Sequence, residues 1–447
     1  MAASPDAVPV RPAWYEGRYS RWLTSTDHKA VGALTICTSF VFLVLAVIAS
    51  LIMRARTAAP PGGYDEVFTM HLAAAASLVL VPLALGLALY VVPLQIGARG
   101  IVAPQLAAFF YWLWALGGVT LVLTFYEAGT GSCGWSCSGP LTSTTGHTGD
   151  LWLLSLAVMA AAQLGTSAIL LATLATRAAP GMTPALRPPF ARASGAFATL
   201  LIPLAVLTIV ESILLLLARH GSLSPSVDTV RHLSWAYGWP ELALLLAPAG
   251  SIVVEVWRIA RPLTATLLAT GAFLSLFVAA GGGLILTAFD GQRFGVHFAL
   301  TVAAYGALTF VVLALLAGLV YWWPKLFGRI LGDDLGVPAA WLAVLGANIV
   351  GFPAYLASDT RVYMYPHFSS WDLYARVSML GAATFTAGLL VFLADALRKG
   401  ARADNDPWRA DTLEWLTTSP PPPGNFERIP AITSSRPLRD LRARTAS

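Results

Sequence analysis

Arg231–Val256, RHLSWAYGWPELALLLAPAGSIVVEV, is an apolar run of membrane-crossing length with Pro240 and Glu241 near its middle. Lipid offers no partner to backbone N–H and C=O groups, so such a run reads as a transmembrane helix. A carboxyl at that depth is costly, so Glu241 is expected to be protonated, paired or turned into an internal polar cavity.

Nine further runs of about 20 residues or more, enough to cross ~30 Å of hydrocarbon, accompany it. They lie near 31–53, 67–95, 103–126, 150–176, 190–218, 262–289, 294–323, 336–358 and 373–397. The expected fold class is therefore an all-α integral membrane protein, a bundle of about ten transmembrane helices. Composition agrees: the 447 residues are 57% hydrophobic and 11% charged, against roughly 25% charged in a soluble domain. The fifteen Trp and thirteen Tyr suit aromatic belts at the two interfaces.

The lysines and arginines follow topology and are not a nucleic-acid patch. With the N-terminus inside, 21 of the 28 fall on inner segments and the other seven on outer ones, as the positive-inside rule requires. An even number of helices then leaves both termini cytoplasmic. The organisation expected is a cytoplasmic segment 1–30, a helical membrane domain 31–397 and a cytoplasmic Pro-rich tail 398–447. No short apolar segment with a cleavage site precedes the first run, so that helix is expected to serve as the insertion signal. The tail lacks apolar periodicity and should lie extended on the inner surface, partly disordered.

The outer loop 127–149 is turn-rich and contains Cys133 and Cys137, which face the oxidising side of a bacterial membrane. They either pair or remain free thiols. A metal site with His147 is a remoter alternative.

Depth can be read from this topology at about 1.5 Å per residue. His71 and His297 each fall about one turn below the outer face, on runs that descend in the same direction. Arg54 lies at the outer end of the first run, and Trp135 and Arg361 lie in outer loops. Imidazole is a common haem ligand and arginine suits carboxylates. Two buried histidines below arginines and a tryptophan thus fit a large cofactor with acidic substituents. The alternative is two hydrogen-bonded core histidines. Glu241, near the midplane, and Glu211 are candidate proton-relay acids or protonated structural ones. His28, His147, His220, His232 and His367 sit in loops or at helix edges, so no three histidines meet at the membrane centre.

Several motifs resemble subunit I of the haem–copper oxidases, the cytochrome c oxidase type. They are Thr26–Gly32 (TDHKAVG), Tyr64–His71 (YDEVFTMH), Val92–Arg99 (VPLQIGAR), Trp235–Glu241 (WAYGWPE), Asp290–His297, and Asp406–Trp415 (DPWRADTLEW) with SPPPPGNFERIP. The likeness runs almost end to end. It implies a reduced version of a twelve-helix fold built around a low-spin haem and a high-spin haem paired with copper, with other respiratory oxidase subunits as partners in a bacterial plasma (inner) membrane. By position, His71 matches a low-spin haem ligand, His297 the high-spin haem ligand, and Arg54 an arginine at the low-spin haem. Arg361 and Trp135 match groups near the propionates, and Glu241 matches the acid that gates proton delivery.

The departures carry more information. Trp239 stands at a copper-ligating histidine, and Ala243 at the tyrosine cross-linked to it. No His-His pair occurs anywhere, although the family's other two copper ligands are adjacent histidines. The connection from Glu255 to Pro262 is so short that the family's seventh and eighth helices, with a pathway lysine, are expected to be missing. Gly100, Ala107 and Ala299 replace a pathway aspartate, a pathway asparagine and the second low-spin haem ligand. An indole offers no lone pair and copper of this kind needs a histidine cluster, so the expectation is no copper site and no oxygen reduction by the family route. Haem, one or two, remains open. The alternatives are a cofactor-free structural or assembly subunit and an active terminal oxidase with an unorthodox site. No inverted repeat supports a transporter.

Overall fold

The computed structural model describes residues 23–55, 67, 70–126, 148–223, 226, 240–259, 262–357, 372–398 and 400–446. Among them ten helices are long and apolar enough to span a membrane. In chain order they are α1 (His28–Ala55), α2 (Met70–Gln95), α3 (Pro104–Tyr126), α4 (Thr148–Thr176), α5 (Pro189–Arg219), α6 (Pro240–Trp257), α7 (Leu263–Phe289), α8 (Val296–Phe327), α9 (Asp333–Ala357) and α10 (Asp372–Leu397). No β-strand occurs among the described residues. The protein is an all-α, multi-pass membrane protein. Its helix ends fall within a few residues of the apolar runs, except that the first part of the Arg231–Val256 run, Trp239 included, lies outside the described residues.

Consecutive helices pack as antiparallel hairpins, notably α1 with α2, α3 with α4, α7 with α8 and α9 with α10. The hub is α2, whose most apolar stretch is 89% buried inside the protein against 17% for α7. Its Ala-, Gly- and Leu-rich sequence lets neighbours approach closely. A Cβ on Gly32 of α1 would come within 2.8 Å of the Gly86 carbonyl oxygen of α2. The α9–α10 crossing is tighter still, since a Cβ on Gly346 would lie 2.2 Å from the Phe385 amide nitrogen. Such contacts hold helices together in lipid, where apolar surface gains little by leaving its solvent.

Residues Ala74–Leu80 of α2 form a π-helical stretch just after His71. Pro82 follows it. A proline has no N–H for the carbonyl four residues back and its ring crowds that carbonyl, which accounts for the widened turns ahead of it. Such π segments re-aim the side chains on either side and recur at functional sites.

The tail corrects the expectation of a partly disordered extended segment. Residues 400–446 pack against one end of the bundle and finish in a short helix, α11 (Pro437–Ala446). Leu413, Trp415 and Asn425 are buried. Trp415 Nε1 donates to Tyr321 Oη at 3.0 Å, and Lys325 Nζ donates to the Thr417 carbonyl at 2.6 Å. Asn425 Nδ2 donates to the Ala98 carbonyl at 2.7 Å and to His28 Nε2 at 3.0 Å. The tail therefore sits at the same end of the bundle as the start of α1. A polar, proline-rich segment achieves this with single anchoring side chains, which leave no periodicity to read.

Candidate functional site

A cleft between α1, α2, α8, α9 and α10 holds about 1110 Å³ of atom-free space, the open solvent at its mouth included. Its walls are almost wholly apolar: Leu43, Val79, Leu83, Val312 and Phe385 are typical. The polar exceptions include His71, Arg54, Ser50, Tyr305 and Thr309. This is the composition expected of a site for a large, flat, mostly apolar cofactor with a few polar substituents.

His71 is held by a bond that fixes its chemistry. Nδ1 lies 2.9 Å from the Ala46 carbonyl oxygen. A carbonyl can only accept, so Nδ1 carries the hydrogen and Nε2 keeps a lone pair. That tautomer, oriented by a backbone carbonyl, is how proteins commonly prepare a histidine to ligate a metal.

Arg54, in the last turn of α1, lies at one end of the cleft. Its Nε donates to Ser378 Oγ at 2.9 Å, and Nη1 donates to the Ser50 carbonyl at 3.1 Å and to the Ser50 hydroxyl. The first bond ties the last turn of α1 to α10, the others brace the side chain along α1, and together they place a guanidinium beside an apolar space.

Of the other residues proposed from sequence for this site, Trp135 and Arg361 lie outside the described residues. His297 falls in the first turn of α8, and its side chain also lies outside them. On α8 the cleft is lined by Tyr305, Leu308, Thr309, Val312 and Leu316. At about 100° per residue, Ala299 lies about 120° away from that stripe. It packs instead on α7, where a Cβ on Gly283 would meet the Ala299 Cα at 3.3 Å. Ala299, which the resemblance matches to a second haem ligand, is thus engaged in helix packing. Tyr305, Ser50 and Ser378 were not singled out from sequence. The stripe on α8 would have pointed to Tyr305 once its buried face was known.

Glu241 is 4% exposed. Its Oε1 accepts from Gln163 Nε2 at 3.2 Å, and Oε2 has no partner. Gln163 lies midway along α4, which places Glu241 level with the middle of the bundle. Ala243, two residues and about half a turn further along, is exposed on the outside of α6. Glu211 is buried on α5. Cys133, Cys137 and His147 fall outside the described residues, and Cys37 is a free thiol on α1.

A family model described as "Cytochrome C and Quinol oxidase polypeptide I" matches residues 30–278. The chain belongs to this oxidase subunit I family. It is 30% identical to a heme-copper oxidase subunit I+III of Aeropyrum pernix, over 92% of this chain and 62% of that protein. It is 28% identical to a putative cytochrome c oxidase subunit 1-beta of Streptomyces coelicolor, over 94% of this chain and 90% of the relative. Identity is also 28% to a cytochrome c oxidase subunit 1 of Bacillus subtilis, over 93% of this chain and 82% of the relative. The chain thus spans less than two thirds of the subunit I+III relative. The alignments run over 506, 517 and 511 residues, more than the 447 present here, so each relative carries segments that this subunit I-like protein lacks. Members of the family are subunits of respiratory oxidase complexes.

Proposed function

We propose that this protein holds haem at His71 in a respiratory oxidase-type complex, carries no copper centre and does not reduce oxygen by the family's route. The observation that carries the haem half is the His71 bond to Ala46, which leaves Nε2 as a ligating lone pair beside an apolar cleft between five helices. Bound there, haem would supply a one-electron carrier. Arg54 would face its acidic substituents, with Trp135 and Arg361 as further outer-side contacts and His297 as a second axial candidate.

The copper half rests on donor chemistry. None of the seven histidines is adjacent to another, Trp239 and Ala243 replace a ligand and its tyrosine partner, and the relatives carry segments absent here. The residues present do not fit a copper ion that needs a histidine cluster. Glu241 keeps the position of a proton-relay acid. Gly100 and Ala107 leave it without the family's usual supply.

The relatives named above are bacterial and archaeal, and 21 of the 28 Lys and Arg fall on one side. This supports a bacterial plasma membrane location, with segment 1–30 and tail 398–447 cytoplasmic. Pyridine haemochrome analysis of the purified protein and of H71A tests the reading. Stoichiometric haem in the first and its loss in the second are expected. A folded wild-type protein without haem would favour a cofactor-free structural subunit and overturn the proposal.

A further inference from the structure

Two carboxylates are buried at the inner end of the bundle, and neither has an ion-pair partner among the described residues. Glu255, in the last turn of α6, is 4% exposed, and Glu414, in the tail, is 0% exposed. Gln95, fully buried at the end of α2, joins them. Its Nε2 donates to Glu255 Oε2 at 3.0 Å and to Glu414 Oε1 at 3.1 Å. The Phe190 amide donates to Glu255 Oε1 at 2.8 Å, and Trp322 Nε1 donates to Glu414 Oε1 at 3.3 Å. Two buried oxygens of the cluster, Glu414 Oε2 and Gln95 Oε1, have no hydrogen-bond partner.

The charged groups around the pair are engaged elsewhere or stand off from it. Lys325 on α8 acts on Glu414 through space, but its ammonium donates to the carbonyls of Asn405, Thr417 and Thr418. Arg258 acts on Glu255 from the next turn of chain. Tyr321 of α8 and Asp406 of the tail add no positive charge. Arg258, Asp411 and Arg436 line a fissure that reaches Glu255 and holds about 20 Å³, room for one water. Among the described residues neither carboxylate has an ion-pair partner. Two like charges on one buried amide are mutually destabilising, and a bound proton removes the conflict.

We propose that Glu255 and Glu414 form a proton-binding site that takes one proton between them from the inner aqueous phase, through the fissure beside Arg258 and Arg436, and that this proton keeps the tail docked. Glu241 lies fourteen residues away along α6, about 21 Å at 1.5 Å per residue, so the two acids are separate sites. Burial, the largest influence, also pushes the Glu414 carboxyl above its ordinary 4.5. A group raised on folding stabilises below its unfolded value and loses that contribution as pH rises through the folded one. Alkali should therefore loosen the tail. Nothing in this inference depends on haem at His71.

Infrared difference spectra of the full-length protein, titrated from neutral to alkaline pH, test it. Hydrogen exchange of residues 410–426, corrected for intrinsic pH dependence, is followed in parallel. The wild type is expected to lose a protonated carboxyl band as the tail begins to exchange. In E255Q and in E414Q the surviving acid, freed of its like-charged neighbour, should deprotonate at least tenfold more readily. In the double variant both the band and the pH-dependent exchange should disappear. A wild type with no carboxyl whose loss tracks tail exchange overturns the proposal without any variant having to fold. The same tail release in the double variant also overturns it.

Discussion

His71 Nδ1 donates to the carbonyl oxygen of Ala46 across the α1–α2 interface at 2.9 Å. Because the acceptor is backbone, the bond survives side-chain variation on α1, and it fixes both the ring orientation and the nitrogen that keeps a lone pair.

Replacing His71 with Ala should abolish haem binding and leave the ten-helix bundle intact. The ring lines a cleft and contributes one net hydrogen bond, worth about 0.5–1.5 kcal/mol. Haem content per protein, set beside the thermal midpoint of the same preparation in detergent, separates the two effects.

Replacing Arg54 with Leu removes the bond to Ser378 that ties α1 to α10 and the bonds to Ser50 within α1. Hydrogen bonds to a charged group are each worth about 1.5–3 kcal/mol, so unfolding should become easier by an amount on that order. A nearby cation favours the reduced, less positive iron. The midpoint potential of bound haem should therefore fall in this variant, as read by a redox titration.

Gly346→Ala should destabilise the bundle by about 1–3 kcal/mol, the usual cost of overpacking, because its Cβ would lie 2.2 Å from the Phe385 amide nitrogen. Gly281→Ala is the control: nothing lies within 4 Å of a Cβ there, and its unfolding midpoint should not fall. Equal behaviour of the two variants would remove the tight α9–α10 crossing from the account.

Much of this architecture is legible in the sequence because the bilayer dictates it. Apolar runs bounded by charge or proline mark out the ten helices. Which helix lies at the centre is not legible. The most apolar stretch of α1 is more apolar than that of α2, yet it is 33% buried against 89%, since lipid-facing and core-facing residues are alike in hydropathy. The same ambiguity hid the cleft-facing stripe of Tyr305 and Thr309. His71, Arg54 and Glu241 could be picked out because ionisable groups at depth are rare. Gln95, Glu255 and Glu414 meet only because the tail folds back, which no local pattern encodes.

Trp239→His alone should bind no copper, because the chain holds no adjacent histidine pair to complete a cluster. Copper analysis of the variant after dialysis against a weak chelator checks this. Retained stoichiometric copper would show that other ligands converge there.

The central claim, haem without copper, is tested most directly by measuring iron and copper together in one preparation of the purified wild-type protein. The account predicts iron stoichiometric with the chain and copper at background. Copper stoichiometric with the chain would contradict it.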